Sequence, residues 1–479
     1  MKWNYLLILF HQVKWSLCKR YHCKWRAAGC KGEIYKFKNM YRYFLLVMFM
    51  LSAVSYAQDV MNDGYRQMWN DSVQEAIDRN IERYRKADAA VELPDVKAGS
   101  QVVVEQTSSE FLFGSNIFLF DQLGSDRKNQ RYKDVFGQLF NQATIAFYWK
   151  TLEPQKGLLR FTADSPYEYR RPATDPVVDF CQQKGIYMKG HAIIYGIRSW
   201  GHPTWMPEDR KVMEREFEAH VKTLAERYGN RIQNWDVVNE CYDQANRGLM
   251  PDDYVYKTYR WAMRYFPQDV TFNTNECDMH WGPDKRYVEI ARNLIDRGIK
   301  VDNCGVQMHI FNPQEAEKIA QGEGQRLTPR RLWATLECLR DIGRPIFISE
   351  VTVSAPDDTE RGRAVQSQLT RDFYRLWFSH PCVRGITWWN LVDGGAAPGE
   401  PSYSGLFDKD MNPKPSYEVL NSLINHEWRT RLVMKAPKDG CVNFRGFKGN
   451  YKITYKNRKG KMQSVEYRLT DSTNTQNIH

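Results

Sequence analysis

Short apolar runs that end in polar or aromatic residues recur along the chain, and longer amphipathic segments separate them. Eight runs have the length and composition of buried strands: Phe111–Phe118, Gln142–Trp149, Tyr187–His191, Asn234–Glu240, Thr271–Glu276, Gly305–His309, Pro345–Glu350 and Gly385–Trp389. Helical periodicity occurs between them at Arg210–Tyr228, Tyr254–Tyr265, Arg286–Arg297, Pro329–Asp341 and Glu360–Phe378. Eight alternations of strand and helix predict an α/β protein whose parallel strands close into a (β/α)8 TIM barrel.

A doubly wound open sheet is the main alternative for this alternation. Such a sheet usually has fewer strands and often carries a glycine-rich phosphate-binding loop after its first strand. No GxGxxG motif follows any of the eight predicted strands. The closed barrel is therefore the favoured interpretation, and we place it at residues 108–425.

The pattern changes on both sides of the barrel. Residues 58–107 predict a polar helix from Asn70 to Ala87 and then a small β element around Val91 and Val102. Residues 426–470 predict a small β module with strands at Leu432–Met434, Gly440–Phe444, Tyr451–Tyr455 and Ser464–Leu469. A module of this size holds little core by itself, so we expect the two β elements to pack together against the barrel. The polar tail, residues 471–479, is expected to be disordered.

The net charge of +11 is distributed unevenly along the chain. Residues 1–57 contain ten Lys or Arg and a single acid, Glu33, so this segment accounts for +9 and leaves +2 for the rest. A basic surface that could attract nucleic acid is therefore not expected on the body of the protein. We predict no nucleic-acid partner, and we expect a monomer.

The segment from residue 40 to residue 57 has the organisation of a secretory signal peptide. Met40-Tyr-Arg42 precedes the apolar run Tyr43–Val54, and Ser55-Tyr-Ala57 is a small-x-small cleavage site. The apolar run is short for a stable membrane span. Residues 1–39 are interpreted as an over-extended start, with a cytoplasmic tail on a short signal anchor as the alternative. The expected location is secreted, periplasmic or cell-surface.

The cysteines do not form a recognisable framework. Three of the ten lie in residues 1–39, and the other seven are scattered without a CxxC pair or zinc spacing. The odd number of cysteines after residue 39 argues against complete disulfide pairing, and one or two disulfide bonds are the alternative to free thiols. Because no metal-ligand cluster, Ser-His-Asp set or cofactor motif is present, the sequence predicts neither a metal nor a cofactor.

Two predicted strands end in glutamates that could act together. Glu240 follows the fourth strand, and Glu350 ends the seventh. The carboxyl ends of barrel strands converge on one face, so we expect both carboxylates in one cleft. Glycoside cleavage needs such a pair, one protonated to assist the leaving oxygen and one ionised; a separation of roughly 5–5.5 Å gives the retaining reaction. A solvated loop carboxylate is the ordinary alternative for either residue alone.

The run Trp235-Asp-Val-Val-Asn-Glu240 resembles the acid/base signature of glycoside hydrolase family 10, the endo-β-1,4-xylanases. The resemblance covers roughly residues 108–425. Other segments similar to the family are Thr151-Leu-Glu-Pro154 with Gly157 and Phe161, Gly190-His191 with Trp200 and Pro203-Thr-Trp205-Met-Pro207, Gly305-Val-Gln-Met-His309, Gly405-Leu-Phe-Asp408 and Asn412-Pro-Lys-Pro-Ser-Tyr417.

The resemblance implies a role for each matching residue. Glu240 is implied as general acid/base and Glu350 as nucleophile. Asn239 is expected to bond the sugar 2-hydroxyl, Gln307 to lie near the same sugar and His309 to orient Glu350. His191 is expected to reach the sugar where cleavage begins, with Trp389 as the floor under that ring. Core packing is the alternative for His309 and Trp389, and Trp388 is the expected buried neighbour.

Several positions depart from the family pattern. The strand-2 Glu, Asn and Lys of the family are replaced by Thr144, Ile145 and Tyr148. Tyr195-Gly196 stands where a second His is usual, and the Asp of the family's Thr-Glu-Leu-Asp nucleophile motif is replaced by Thr352. The second Trp expected after strand 8 is missing from Asp393–Gly399. We hypothesise that Tyr148 and Tyr195 replace lost polar contacts with stacking.

These observations predict a secreted, retaining endo-β-1,4-glycanase, with xylan or decorated xylan as the favoured substrate. The alternatives are a carbohydrate-binding protein on a degenerate barrel and a glycosidase of the same clan with another β-glycan substrate. Glu276, at the end of the fifth strand, is a spare carboxylate that we interpret as structural or substrate-facing.

Overall fold

The structure is a computed structural model that describes residues 60–93, 95–241, 249–276, 282–324, 326–471 and 475–477. Its strands are β1 Lys86–Glu92, β2 Gln101–Ser109, β3 Leu112–Asn116, β4 Gln142–Ala146, β5 Tyr187–Tyr195, β6 Asn234–Asn239, β7 Thr271–Glu276, β8 Asn303–Ile310, β9 Ile346–Val353, β10 Val383–Trp388, β11 Arg431–Lys435, β12 Cys441–Phe447, β13 Gly449–Lys456, β14 Met462–Leu469 and β15 Thr475–Asn477.

The described helices lie mostly between the strands. They are α1 Asp63–Met68, α2 Asp71–Arg85, α3 Asp126–Val135, α4 Trp149–Leu152, α5 Thr174–Lys184, α6 Arg198–Gly201, α7 Arg210–Tyr228, α8 Tyr254–Tyr265, α9 Lys285–Asp296, α10 Pro313–Ala320, α11 Pro329–Arg340, α12 Glu360–Ser379 and α13 Pro415–Ser422, with a π-helical turn at Leu423–Glu427.

Strands β3 to β10 form a closed barrel in which every neighbouring pair is parallel and β10 pairs with β3. The predicted (β/α)8 fold is confirmed, and each predicted strand corresponds to one barrel strand. Helix α7 also has its predicted ends because its capping residue is specific: the Asp209 side chain accepts a hydrogen bond from the backbone N–H of Val212 at 2.9 Å.

The barrel strands bury polar side chains as well as apolar ones. Apolar side chains such as Met188, Val306 and Ile348 are completely or almost completely buried. Polar side chains that are equally buried, including Asp236 in β6 and Asn275 in β7, lie on the same barrel strands or their neighbours. Burying a polar group is costly unless a hydrogen-bond partner is supplied, so these residues mark the part of the barrel where a specific polar network is built.

The segments that flank the barrel in sequence are joined in space. Strand β1 pairs antiparallel with β12, and β2 pairs antiparallel with both β11 and β13. Their own core includes Val104, Ile453 and Leu469, all almost fully buried. Neither segment has enough apolar residues to form a core alone. Strands from both segments share two sheets, and their apolar side chains form one common core. The two β elements therefore complete each other's sheets, beyond the packing that we expected.

The chain's last described residues differ from the expected disordered tail. Strand β15 pairs in parallel with β1, from Ala90 opposite Thr475 to Glu92 opposite Asn477. The edge of β1 that is not bonded to β12 supplies the unpaired backbone groups for this contact. Residues 1–59, and with them the predicted signal peptide and N-terminal extension, lie outside the described residues.

Within the described ranges, no helix combines the length and the apolar character needed to cross a membrane. No group of three or more His, Cys, Asp or Glu side chains in those ranges is arranged to hold a metal ion. The six cysteines described there are free thiols, while Cys277 falls outside the described residues.

Candidate active site

The nine side chains singled out from the sequence lie together around the carboxyl ends of β4 to β10. Glu240 directly follows β6, and Glu350 lies in β9 opposite Gln307 of β8. The Gln307 Nε2 donates a hydrogen bond to Glu240 Oε1 at 2.9 Å. Gln307 therefore connects the surroundings of the two glutamates, which lie 110 residues apart in the chain.

Glu350 is only 4% exposed and is surrounded by nitrogen groups. Asn275 Nδ2 donates to its Oε1 at 2.8 Å, and His309 Nε2 lies 3.2 Å from its Oε2. His191 Nε2 lies 3.9 Å from Oε1. These three side chains come from three different strands, so closure of the barrel is what fixes the position of this carboxylate.

Glu240 is partly exposed and has an unusual backbone conformation, with φ +54°. Left-handed backbone is unfavourable for a residue with a Cβ and is often found at functional sites. The Glu240 N–H donates to the Asn275 carbonyl at 2.8 Å, which holds this conformation. Gly196 passes so close that an added Cβ would lie 2.3 Å from the Glu240 carbonyl oxygen.

Burial raises the pKa of both glutamates. For Glu240 the cause is burial first and then the negative charge of Glu350. Burial raises the pKa of Glu350 to about 7, although His191, Lys189 and Asn275 partly oppose the shift. Two neighbouring buried carboxylates resist joint ionisation. The site is therefore suited to hold one proton that can be donated.

Asn239 is fully buried beside this pair. Its Oδ1 accepts a hydrogen bond from Asn275 Nδ2 at 2.7 Å. Its own Nδ2 is buried and has no hydrogen-bond partner among the residues that the structure describes. An unsatisfied buried donor is costly, and a hydroxyl group of a bound sugar would satisfy it.

His191 belongs to a buried polar network below the glutamates. Its Nδ1 lies 2.8 Å from Asp236 Oδ2, and its Nε2 lies 3.2 Å from the Tyr148 hydroxyl. Lys189 Nζ lies 3.2 Å from the same Asp236 oxygen. This network orients the imidazole between Tyr148 and Glu350.

Trp389 lies on the site side of the barrel wall. Its ring contacts Phe118, His191 and His309, with centroid separations of 5.3, 5.5 and 6.2 Å. The adjacent Trp388 is fully buried and donates from its indole nitrogen to the Asn390 carbonyl. The structure thus places Trp389 beside His191 and His309, and Trp388 in the core.

The two tyrosines that replace polar family residues make polar contacts as well as ring contacts. Their rings lie 5.7 Å apart. The Tyr195 hydroxyl hydrogen-bonds the Glu240 carboxyl, which contributes to the pKa shifts of both groups after larger causes, burial first. Stacking alone, as hypothesised from the sequence, therefore does not describe Tyr148 and Tyr195 fully.

Sequence reasoning missed several partners in this network. Asn275 was passed over in favour of its neighbour Glu276, although both are polar residues of a buried strand. Glu276 instead accepts hydrogen bonds from the backbone N–H and the thiol of Cys241, at 3.0 and 2.8 Å. The network around His191 could have been predicted from Lys189, because a charged residue inside an apolar strand needs a buried polar partner.

A closed parallel barrel with a buried and a partly exposed carboxylate paired beside aromatic rings is typical of a glycoside hydrolase of the (β/α)8 class. Residues 106–423 match the sequence profile of Glycosyl hydrolase family 10. The chain belongs to this family and is an endo-1,4-β-xylanase-like hydrolase.

The chain is similar to several known xylanases at low identity. Endo-1,4-beta-xylanase B of Thermotoga neapolitana is 23% identical over 319 residues, which cover 63% of this chain and 86% of that protein. Endo-1,4-beta-xylanase 2 of Arabidopsis thaliana is 24% identical over 368 residues, which cover 75% of this chain but only 31% of that longer protein.

The barrel also resembles solved structures. Xylanase 10B of Thermotoga petrophila, crystallised with xylobiose, superposes with a TM-score of 0.54 at 20% identity, over 66% of this chain and 95% of that one. Native xylanase 10B of Thermotoga maritima gives the same TM-score at 21% identity, over 66% of this chain and 96% of that one. At such identities these likenesses show the fold alone.

Proposed function

We propose that this protein is a retaining endo-β-1,4-glycanase that cleaves xylan or decorated xylan. Membership of the family and the names of the similar proteins support the substrate class. The observation that carries the mechanism is the pairing of Glu240 with Glu350. Each carboxyl has its own fixed donors, and the charge of one raises the pKa of the other.

In the first step, the Glu350 carboxylate attacks the anomeric carbon while Glu240 donates its proton to the departing glycosidic oxygen. A covalent glycosyl ester on Glu350 and a free sugar hydroxyl result. In the second step, Glu240 removes a proton from water, the water oxygen attacks the anomeric carbon, and Glu350 leaves as carboxylate. Two inversions retain the anomeric configuration.

The neighbouring groups have roles that follow from their contacts. Asn275 and His309 donate to Glu350 and hold its oxygens in position for attack. Gln307 and Tyr195 hold Glu240, whose raised pKa keeps a proton available for the leaving group. The free Nδ2 of Asn239 is available for a sugar hydroxyl near Glu350, and Trp389 supports the ring from below.

The test is reducing-sugar release from purified xylan, arabinoxylan, glucuronoxylan, mixed-linkage glucan and mannan by residues 58–479. We expect release from xylans, and loss of at least about a thousandfold in Glu350→Ala and Glu240→Ala. The matched control is Glu289→Ala, because Glu289 is exposed on helix α9. No release from any glycan by the folded protein would favour the carbohydrate-binding alternative.

The stereochemical course is tested separately. Proton NMR of the first products from a β-linked xylooligosaccharide would show the β anomer if the reaction retains configuration. Initial appearance of the α anomer would contradict the role of Glu350 as nucleophile, even if Glu350→Ala were inactive.

We also propose that the protein is exported, which is supported by the organisation of residues 40–57. N-terminal sequencing of the mature protein from its native host should begin at Gln58. Retention of the full N-terminal segment on the cell-associated protein would favour the signal-anchor alternative.

A further inference from the structure

A loop between α4 and α5 brings an arginine onto the aromatic wall of the site. The guanidinium carbon of Arg171 lies 3.8 Å from the centre of the Tyr148 ring and 5.0 Å from that of Phe118. The Tyr148 hydroxyl lies 3.2 Å from His191 Nε2, which itself lies 3.9 Å from Glu350 Oε1. Arg171 is therefore two side chains away from the proposed nucleophile.

This loop holds Arg171 in a defined position. Arg160 Nη2 donates to the carbonyls of Pro166 and Arg171 at 2.6 and 2.9 Å. Arg170 is buried, and its Nη1 donates to Asn390 Oδ1 at 2.9 Å. Anchors on both sides fix the backbone at residue 171, so the stacking on Tyr148 is a built feature of the loop.

The Glu400 carboxylate lies close enough for its negative charge to favour protonated Arg171, but it forms no ion pair with Arg171 among the described residues. The Arg171 Nη1 donates to the Arg170 carbonyl at 2.9 Å, and no carboxylate in the described part of the chain lies within ion-pair distance of the guanidinium. The nearby Glu400 carboxylate instead accepts from Asn390 Nδ2 and the Ala397 N–H, at 2.9 and 3.2 Å. A second cation, Arg170, adds to the positive potential.

A half-buried guanidinium that forms no direct ion pair among the described residues keeps donors available for a ligand. The Nε and Nη2 groups of a guanidinium form a planar fork that matches a carboxylate, and such bidentate pairs are stronger than neutral hydrogen bonds. Burial lowers the pKa of this guanidinium, which is the opposite of what an ion pair would do. Bound carboxylate would relieve this cost.

The barrel-strand residues near Arg171 leave it as the charged group available to a ligand on this wall. Thr144 and Ile145, which stand at two of the lost polar positions, are buried and present no charge to the site. The third lost position is Tyr148, the residue on which Arg171 stacks. The charged group on this wall therefore comes from the loop and not from the barrel strand.

We propose that Arg171 binds the carboxylate of a uronic acid side group on the glycan, on the wall formed by Tyr148. This inference rests on the proposed function, because it names the decoration carried by the substrate of that same site. It predicts that the protein prefers acidic xylooligosaccharides over neutral ones of equal backbone length.

The experiment compares kcat/KM for glucuronic-acid-substituted xylooligosaccharides, the same compounds with the carboxyl reduced to an alcohol, and unsubstituted ones. We expect Arg171→Gln to lower the ratio of acidic to carboxyl-reduced kcat/KM by about tenfold or more, the usual size of a charge-assisted pair. Arg171→Lys, which keeps the charge without the fork, should give an intermediate ratio. Arg215→Gln, at an exposed position of α7, should keep the wild-type ratio.

The wild-type ratio should also fall as sodium chloride is raised, since salt screens charge pairs that solvent can reach. A ratio near one, or a ratio unchanged in Arg171→Gln, would overturn the inference while hydrolysis of unsubstituted oligosaccharide still supported the proposed function. If no oligosaccharide were cleaved, calorimetric binding to Glu350→Gln with and without Arg171→Gln would decide. Equal affinity for the acidic compound in both would overturn the inference.

Discussion

The imidazole of His309 is held by the hydroxyl of Thr352, whose Oγ1 lies 2.9 Å from His309 Nδ1. The other ring nitrogen lies 3.2 Å from Glu350 Oε2. A hydroxyl cannot stabilise a protonated imidazole as a carboxylate would, and burial lowers the pKa of His309 to about 4. At neutral pH a neutral His309 therefore faces Glu350, so Glu350 gains a hydrogen bond but no positive charge from it.

Replacing Thr352 with aspartate should shift the acid limb of the activity profile. In Thr352→Asp, the new carboxylate favours protonated His309, whose charge then lowers the pKa of Glu350. Since the proposed mechanism requires ionised Glu350, the acid limb of kcat/KM should move to lower pH by about one unit. Thr352→Val, which offers no charge, should not produce this shift. Identical acid limbs in Thr352→Asp and the wild type would contradict the account of His309.

The raised pKa of Glu350 also has a consequence for stability. Between the ordinary value of 4.5 and the folded value of about 7, the folded protein keeps a proton that the unfolded chain has released. The contribution of Glu350 to stability is therefore present below pH 4.5 and is lost as pH rises through 7. Glu350→Gln, which stays neutral, should gain about 2 kcal/mol over the wild type in the free energy of unfolding between pH 5 and pH 8.

Chemical denaturation at several pH values measures this difference. Glu289→Gln, at an exposed position, is the control and should follow the wild type. A constant difference between Glu350→Gln and the wild type across this range would show that Glu350 titrates normally in the folded protein.

Asn275 is expected to be important for activity, although the sequence drew attention to its neighbour Glu276. Its Nδ2 donates to both Asn239 Oδ1 and Glu350 Oε1, at 2.7 and 2.8 Å. Asn275→Ala removes both bonds, so we expect kcat to fall by about 10- to 100-fold and the acid limb to move to higher pH. Steady-state kinetics across pH tests this. An unchanged acid limb would mean that Asn275 does not stabilise the ionised form of Glu350.

Gly196 should be required for placing the proposed acid/base. Its N–H donates to the Asn239 carbonyl at 2.7 Å, and a Cβ would lie 2.3 Å from the Glu240 carbonyl oxygen. Gly196→Ala must displace the backbone at Glu240, and a displacement of about 1 Å can lower the rate about 100-fold. We expect a fall in kcat with a smaller change in KM.

The control for this change is Gly64→Ala in helix α1, where the nearest atoms to a new Cβ would be Asn62 Oδ1 at 3.3 Å and Gly322 Cα at 3.4 Å, so that a much smaller adjustment is needed. Both variants should be checked by thermal unfolding. Wild-type kcat in folded Gly196→Ala would show that the backbone at Glu240 adapts without cost to its function.

The local pattern of apolar and polar residues was sufficient to predict the barrel strands and helix α7. Apolar runs of strand length alternate with helical periodicity, and a cap such as Asp209 marks where a helix begins, so the barrel strands and helix α7 were predicted closely. The flanking β segments could not be resolved in this way. Strand β1 pairs with β12 across more than 340 residues, and strand pairing at that distance leaves no local periodic signal.

The sequence by itself determined the closed barrel, the pair Glu240 and Glu350, and the group of side chains expected around them, because strand ends in a parallel barrel converge whatever the loops do. Only the tertiary structure decided which groups touch. The link from Asn275 to Glu350, the hydroxyl of Thr352 on His309, and the stacking of Arg171 on Tyr148 each join different strands or loops. Such contacts depend on register and loop path, and these are set by packing of the whole barrel and not by neighbours in the chain.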